Sequence, residues 1–383
     1  APSPADMPFA GLKVLDMGVI VVGGDTGRLF ADLGAEVVKV ENGAFPDGQR
    51  QSRDNAPVSL TFAAGHRNKR GLAIDLRSAR GKALFLDLVA RADVLCSNFK
   101  PGTLTSLGFD AKTLAAANPR LVTVDSSAFG PTGPWSDRLG YGPLVRCSAG
   151  LTKQWVYPGE PESFSDTITV YPDHVAARIG ACAAAALLIR RMRTGRGGGA
   201  SISQAEVMLA QKGAEIAALG AEAAGLRLET GEMADDWLLP CAGDDEYCVA
   251  TIRDVADRAA LAGIVGEERA AAGQWAARHS PEEVMAQLQA AGVPAGMMVR
   301  VTDMPDSPQY RALGTFRPAT HPLIAAPFTV EGRATRSERL PDPDQRPAPR
   351  IGEDSAAVVA DWLGLDEAAV AALLADGIIE QAA

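Results

Sequence analysis

The chain is short of the residues that staple, ligate or anchor. Its 383 residues include five cysteines and four histidines. Cys96, Cys147, Cys182, Cys241 and Cys248 are dispersed, with no Cys-x-x-Cys pair and no histidine at zinc-site spacing. That excludes a disulfide framework and a structural zinc site, and a dispersed odd count fits a reducing compartment. Basic charge is also scarce: the net charge is −10, which argues against a nucleic-acid partner but leaves room for a small anion on a local basic patch. The longest apolar stretch, around residues 181–189, is too short to span a bilayer. The first residues, APSPADMPFAG, have neither the basic start nor the apolar core of a signal peptide. The expectation is a soluble cytoplasmic protein with no nucleic-acid and no membrane partner.

What the chain does have is core. Hydrophobic residues make up 47% and charged residues 22%, a globular balance that excludes disorder, and the length suits two domains or one large one. GLKVLDMG reads as a strand, TGRLFADLGA as a helix stopped by Gly34, and EVVKVE as the next strand. The pattern recurs in GLAIDL, SARGKALFLDLVARA, DVLCSNF, DAKTLAAANP and LVTVDSSAFG, with Ser78 as an N-cap. Alternating strands and helices predict a parallel sheet. Residues 133–159 read as irregular loop. A long alanine-rich helix follows Asp173, and a second is expected from Ser203 through Glu222. LLPCAGDDEYCVATI reads as a hairpin, helices are expected near 257–265 and 281–291, and the Pro-rich stretch 318–349 reads as an extended linker. Helical spacing returns over 355–379.

Four places carry candidate chemistry. Asp173 stands at the head of the alanine-rich helix, where a carboxylate suits the helix dipole as a simple structural acid. The same dipole favours the ionised form and so a nucleophile. GHRNKRGLAIDLR clusters His66, Arg67, Lys69, Arg70 and Arg77, either as a solvated turn or as a seat for phosphate. Asn98 follows a strand, where it can shape a loop or meet a ligand. TGRGGGAS lacks the Lys-Ser/Thr ending of a phosphate loop and follows a helix, so it reads as a helix end turning into a strand. His279, His321, Met297 and Met298 are given no role.

Taken together, several stretches resemble one family: GLKVLDMG, LFADLGAEVVKVE, HRNKRGLAIDL, ADVLCSNFKPGTLTSLGF, NPRLVTVDSSAFGPTGP, GYGPLVRCSAGL and YPDHVAARIGACAAAALLIRRMRTGRGGGASIS. They resemble, in this order, the class III coenzyme A transferases that act on formyl-CoA, carnitinyl-CoA and bile-acid-CoA; 2-methylacyl-CoA racemases share the fold. The resemblance covers nearly the whole chain. It implies an α/β fold: a large Rossmann-like domain with an open parallel sheet and a smaller α+β domain, in an interlocked homodimer. The division it implies is 1–205 for the first part of the CoA-binding domain, 206–235 for a helical linker and 236–317 for the small domain. A Pro-rich linker at 318–349 and a C-terminal return at 350–383 complete it.

The resemblance also implies roles. Asp173 falls on the catalytic aspartate, and Asn98 and Phe99 on the pair that meets the pantetheine of CoA. Ile74 and Arg77 fall near its adenine and phosphates, with Arg67 and Arg70 as further phosphate candidates. Tyr141 falls near the nucleophile. Val19, counted among the CoA contacts, and Val21 replace polar residues of the formyl-CoA enzymes. Gly142 replaces an acid and Ser106 an arginine, and a glycine tetrad is missing, which argues against formate or oxalate. The implied function is transfer of CoA from an acyl-CoA to a carboxylic acid through an aspartyl anhydride and an aspartyl-CoA thioester. CoA is then substrate, and no separate cofactor or metal is expected. The alternatives are a 2-methylacyl-CoA racemase, whose histidine position is taken here by Tyr141, and a non-catalytic acyl-CoA-binding homologue.

Overall fold

The computed structural model describes residues 7–52, 56–156, 162–163, 169–226, 234–266, 268–332, 337–343 and 345–382. The chain divides into two compact units, one formed by 1–214 and 317–383 and the other by 215–316. The expected loop over 157–159, part of the expected helical linker (227–233) and part of the Pro-rich segment (333–336 and 344) lie outside the described residues.

In the first unit, β1 (Lys13–Asp16), α1 (Ile20–Asp32), β2 (Glu36–Glu41), α2 (Leu60–Gly65), β3 (Lys69–Ile74), α3 (Ala79–Arg91) and β4 (Val94–Ser97) alternate along the chain. They are followed by α4 (Thr103–Leu107), α5 (Ala111–Ala117), β5 (Val122–Ser127), α6 (Gly142–Ser148), α7 (Tyr171–Thr194), β6 (Gly198–Ser203) and α8 (Gln204–Gln211); α9 (Gly213–Ala223) begins at the end of this stretch and belongs for the rest of its length to the second unit. Ser78 caps α3 by accepting from the Gly81 N–H. The second unit holds an antiparallel sheet of β7 (Asp235–Pro240), β8 (Tyr247–Ile252) and β9 (Ala295–Met297). Packed with it are α10 (Val255–Val265), α11 (Arg269–Ala276) and α12 (Pro281–Ala290), and α13 (Pro308–Leu313) completes the unit. Back in the first unit come β10 (Phe316–His321), β11 (Ile324–Glu331), α14 (Ser355–Leu363), α15 (Glu367–Ala375) and β12 (Ile379–Glu380).

The main sheet has the order β12-β3-β2-β1-β4-β5-β6. β1 to β6 run parallel, but β12 joins β3 antiparallel, so the sheet is mixed rather than purely parallel. Strands buried on both faces read as unbroken apolar runs. Here Val14, Val37 and Val94 enter one core with α1 and α7, while their neighbours Leu15, Val38 and Leu95 enter another with α3 and α14. The C-terminal segment is tied to β3 by side chains as well: Asp354 accepts from Gly71 N–H and Ser355 from Ala73 N–H.

Three expectations are corrected. The stretch read as loop contains α6, a two-turn helix opened by Pro143 in its first turn, which suits proline's fixed φ. The helix expected from Ser203 through Glu222 is two helices, with α8 ending at Gln211 and Lys212 as its C-cap. The Pro-rich stretch contains the two-stranded sheet of β10 and β11; Pro318 and Pro327 are tolerated because a two-stranded sheet is all edge.

Candidate active site

The order of the parallel strands reverses between β1 and β4. The connections leaving these two strands diverge, and a crevice opens at their carboxyl ends. The turn after β1 is fixed atom by atom. Asn98, after β4, accepts from the Val19 N–H at 2.6 Å and donates to the Val19 carbonyl at 2.8 Å. Ile20 adopts φ 57, a left-handed conformation that is costly for a β-branched residue, and its N–H donates to Asp47 at 2.9 Å. Gly18 donates to Asp16 at 2.8 Å, and its carbonyl accepts from Lys39. A Cβ on Gly18 or Gly23 would overlap the other's backbone, so the turn lies directly on α1.

Under this turn lies a dry ionic cluster. Lys39 bonds Asp47 at 2.8 Å and Lys69 bonds Asp16 at 2.7 Å, all four side chains being fully buried. Burial raises the Asp47 pKa, but Lys39 and the bonds from Gln49 and Ile20 outweigh it and hold the carboxyl below its usual range. Burial, together with Lys69 and Lys39, pushes His66 well below the ordinary histidine value, so it stays neutral. The Lys69 ammonium sits 3.1 Å from His66 Nδ1 and, having only protons to give, must be the donor.

Beside the turn opens a cleft of 560 Å³ at the carboxyl ends of β1 to β4, walled by Val19, Phe45, Ile74, Arg77, Phe99 and Leu107 among others. The Arg77 guanidinium lies 3.9 Å over the Phe45 ring. Glu41, Asp47, Asp75 and Glu380 also line it. Its mainly apolar wall suits a ligand with an apolar body, and among the described residues Arg77 is the one cation in the lining that an anionic end could meet.

α7 is the crossover between β5 and β6, so it runs against the strands and its first turn lies at their carboxyl edge. Asp173 is the third residue of that turn and not its cap; the cap position is Val170, with no side-chain bond. Asp173 is buried, and among the described residues its Oδ2 has no hydrogen-bond partner. Burial raises its pKa to about 6, against a lowering influence of His174. The carboxyl lies against Gly142: a Cβ there would come within 2.5 Å of Oδ2 and 2.7 Å of the Val170 Cα. This is the physical sense of the glycine at 142, since any side chain would displace the carboxyl. The next residue, His174, bonds Asp25 of α1 at 2.6 Å through Nδ1. An unpaired buried carboxyl that titrates near neutrality can attack an electrophile or move a proton.

The family model described as CoA-transferase family III matches residues 9–355. The chain belongs to CoA-transferase family III. It is 43% identical over 384 residues to a probable CoA-transferase of Mycobacterium tuberculosis, covering 94% of this chain but 48% of the relative. The chain thus spans about half the length of that relative. It is 27% identical to a succinyl-CoA–D-citramalate CoA-transferase of Chloroflexus aurantiacus, over 97% of this chain and 98% of that protein. Among solved structures, a CAIB/BAIF family protein from Brucella suis superposes with a TM-score of 0.79 at 26% identity, covering 93% of this chain and 99% of the other.

Within this family III chain, the residues singled out from sequence are only partly gathered. Val19, Ile74, Arg77 and Phe99 line the one cleft. Asn98 borders it, but both ends of its amide are taken by Val19, so it holds the wall instead of offering a free group. Tyr141 is exposed and precedes Gly142, at the Asp173 corner. Arg67 and Arg70 lie elsewhere, a correction to their expected role. Arg67 is buried on Asp32 at 2.7 Å and the Glu331 carbonyl at 3.1 Å. Arg70 bonds Glu36 at 2.5 Å and Asp361 at 2.8 Å. Guanidiniums saturated by carboxylates have little left for phosphate. Sequence inspection missed Phe45, Asp47, Lys39 and Asp25. One signal was present: lysines inside apolar strands, as Lys39 is in EVVKVE, need buried partners.

Proposed function

We propose that the chain transfers coenzyme A from an acyl-CoA donor to a carboxylic acid, with Asp173 as the nucleophile. The observation that carries this is the Asp173 carboxyl, buried and, among the described residues, unpartnered at Oδ2, at the carboxyl edge of the sheet whose crevice forms the cleft. Ionised Asp173 attacks the thioester carbonyl carbon; the C–S bond breaks, CoA thiolate leaves and a mixed anhydride forms. The thiolate attacks the aspartyl carbonyl, the donor's carboxylate departs, and an aspartyl-CoA thioester remains. An acceptor carboxylate attacks that thioester and releases the thiolate. The thiolate then attacks the acceptor's acyl carbon, giving the new acyl-CoA and free Asp173. Each step exchanges acyl derivatives of similar reactivity, which is why a carboxylate suits the task. Burial keeps out the water that would hydrolyse both intermediates.

CoA occupies the 560 Å³ cleft in this reading, its phosphates toward Arg77 and its pantetheine along Phe99. A second copy of the chain completes the protein. What supports a dimer is apolar surface without cover: Ile189 and Met192 are exposed on α7, and α9 buries none of its residues although it carries Ile216 and Leu219. A racemase is the second reading, because His174 beside Asp173 supplies an imidazole where Tyr141 does not.

The test is trapping. Acyl-CoA without acceptor, quenched with hydroxylamine, leaves a hydroxamate that peptide mass mapping places on Asp173. Asp173→Asn leaves none and transfers nothing. Exchange of the C2 hydrogen of a 2-methylacyl-CoA with no mark on Asp173 establishes the racemase instead. Sedimentation at low micromolar concentration should give only a dimer, and a folded CoA-binding monomer would refute that part.

A further inference from the structure

The segment that leads into α6 leaves large apolar side chains in water. Trp135, Leu139, Tyr141 and Leu144 are each between 55% and 70% exposed. They share a floor. The Phe129 ring meets Trp135 edge-on, with 5.4 Å between centroids. A Cβ on Gly140 would come within 3.3 Å of the same ring, so the chain between Leu139 and Tyr141 also lies on Phe129. Tyr141 is the N-cap of α6, and Leu144 stands three residues on, a spacing that makes neighbours on a helix surface. Single exposed apolar residues are ordinary, but a cluster over one ring marks a binding surface.

The cluster begins at the nucleophile. Asp173 Oδ2 is 2.5 Å from the place a Gly142 Cβ would take. The carboxyl is therefore within about 4 Å of the Gly142 Cα, and the Tyr141 Cα, about 3.8 Å further on, is within about 8 Å of it. The CoA cleft is built elsewhere: among the described residues that line it, none comes from 128–148. In a thioester the acyl body and the CoA chain leave the carbonyl carbon in different directions. With CoA in the cleft and that carbon at Asp173, the acyl body falls on the α6 side. The exposed Ile189 of α7 is in a different position, about 24 Å along the helix axis from Asp173, too far to meet the reacting group.

A second carboxylate on the acyl group would find little to hold it. Among the described residues, the cations around this corner are already engaged. Arg138 pairs with Asp137 at 3.6 Å. Arg146 is 2% exposed and donates to the Thr152 hydroxyl at 3.1 Å. Arg178 donates to the His174 carbonyl at 2.8 Å, and Arg28 to Asp25 at 3.0 Å. Lys153, beyond α6, is engaged as well.

We propose that the acyl group this chain activates is that of a bulky apolar monocarboxylic acid, whose body lies on Trp135, Leu139, Tyr141 and Leu144 while its carbonyl carbon stands at Asp173. This rests on the transfer reaction proposed above and narrows its substrate: the apolar face selects the acid, and the short dicarboxylic acids are disfavoured.

The experiment compares hydroxylamine capture on Asp173 of the full-length protein from phenylacetyl-CoA and from glutaryl-CoA, each corrected for its uncatalysed reaction with hydroxylamine. Both donors carry the same CoA, so changes in CoA binding cancel in the ratio of their kcat/KM values. The wild type should favour phenylacetyl-CoA by roughly tenfold or more. Tyr141→Ser and Leu144→Ser should each lower that ratio roughly five- to tenfold, and Tyr141→Phe and Leu144→Met, which keep the apolar surface, should preserve it. Thermal midpoints within about 2 °C of the wild type confirm an ordinary fold in these exposed-site variants. Equal capture from the two donors by the wild type, or serine variants with the wild-type ratio, overturns the proposal. Serine variants that lose dimer in sedimentation while keeping the ratio would assign the cluster to a second copy of the chain instead. Absence of any mark on wild-type Asp173 from either donor is a different failure, that of the transfer reaction itself.

Discussion

Two groups of buried charge sit at the carboxyl edge of one sheet and follow opposite rules. Under the turn after β1, Asp16 and Asp47 each have a lysine within 2.8 Å and are sealed from water. At the head of α7, Asp173 is nearly as buried but has an oxygen with no partner among the described residues. The first arrangement spends its charges on geometry: Asp47 and Lys39 hold Ile20 and Gly18 in a strained turn that walls the cleft. The second keeps a carboxyl unsatisfied, and so able to react. Paired burial marks scaffold, and unpaired burial marks chemistry.

The largest expected effect breaks the first arrangement. Lys39→Met removes the cation and leaves Asp47 buried alone, which costs about 3–5 kcal/mol. Urea unfolding should show that loss, and Lys39→Met combined with Asp47→Leu should recover much of it, because no orphan charge then remains. A single variant less than about 1 kcal/mol below wild type would mean the cluster is not sealed.

The second arrangement predicts the reverse sign. Burial raises the Asp173 pKa from 3.8 to about 6. An acid whose folded pKa exceeds its unfolded value binds its proton more tightly when folded. It therefore weakens the fold as pH rises from the unfolded value through the folded one, and the full cost is present above about pH 7. Asp173→Asn should thus be more stable than wild type by on the order of 2–3 kcal/mol in mildly alkaline buffer. That advantage should shrink as pH falls through about 6 toward 4. Thermal midpoints of the two proteins across that range check it, and a difference independent of pH would show that the carboxyl is well solvated.

The sequence made part of this visible. Strands buried on both faces are apolar runs, so β2 and β3 could be placed from EVVKVE and GLAIDL alone. The start of α1 could not, because its first turn is Ile-Val-Val-Gly, a run of poor helix formers held in place by tertiary packing. α6 was too short to set up a period, and prolines hid β10 and β11. Asp173 stood out through its setting and the family resemblance. Arg67 and Arg70 were misjudged because a local charge run does not reveal partners at Asp32, Glu36 and Asp361, which only the fold brings near. The unpaired state of Asp173 was equally hidden, since it depends on the missing side chain at Gly142.

The smallest effect sharpens the comparison by testing a charge that is neither sealed nor orphaned. Arg77 is exposed at the rim of the cleft and lies 3.9 Å over Phe45. An exposed cation–π contact contributes only about 0.5–1 kcal/mol, so the guanidinium can leave the ring at little cost. In the proposed mode of binding, a phosphate of CoA offers it a better partner, through charge-assisted bonds. Arg77→Ala should therefore leave the fold intact and weaken CoA binding roughly three- to tenfold, about 0.7–1.4 kcal/mol. Dephospho-CoA should lose less, and the gap between the two ligands should close as salt screens the rim. Calorimetric titration of both ligands at low and high salt reads this directly. Equal losses for the two would place Arg77 in the scaffold with Lys39 instead of at the ligand.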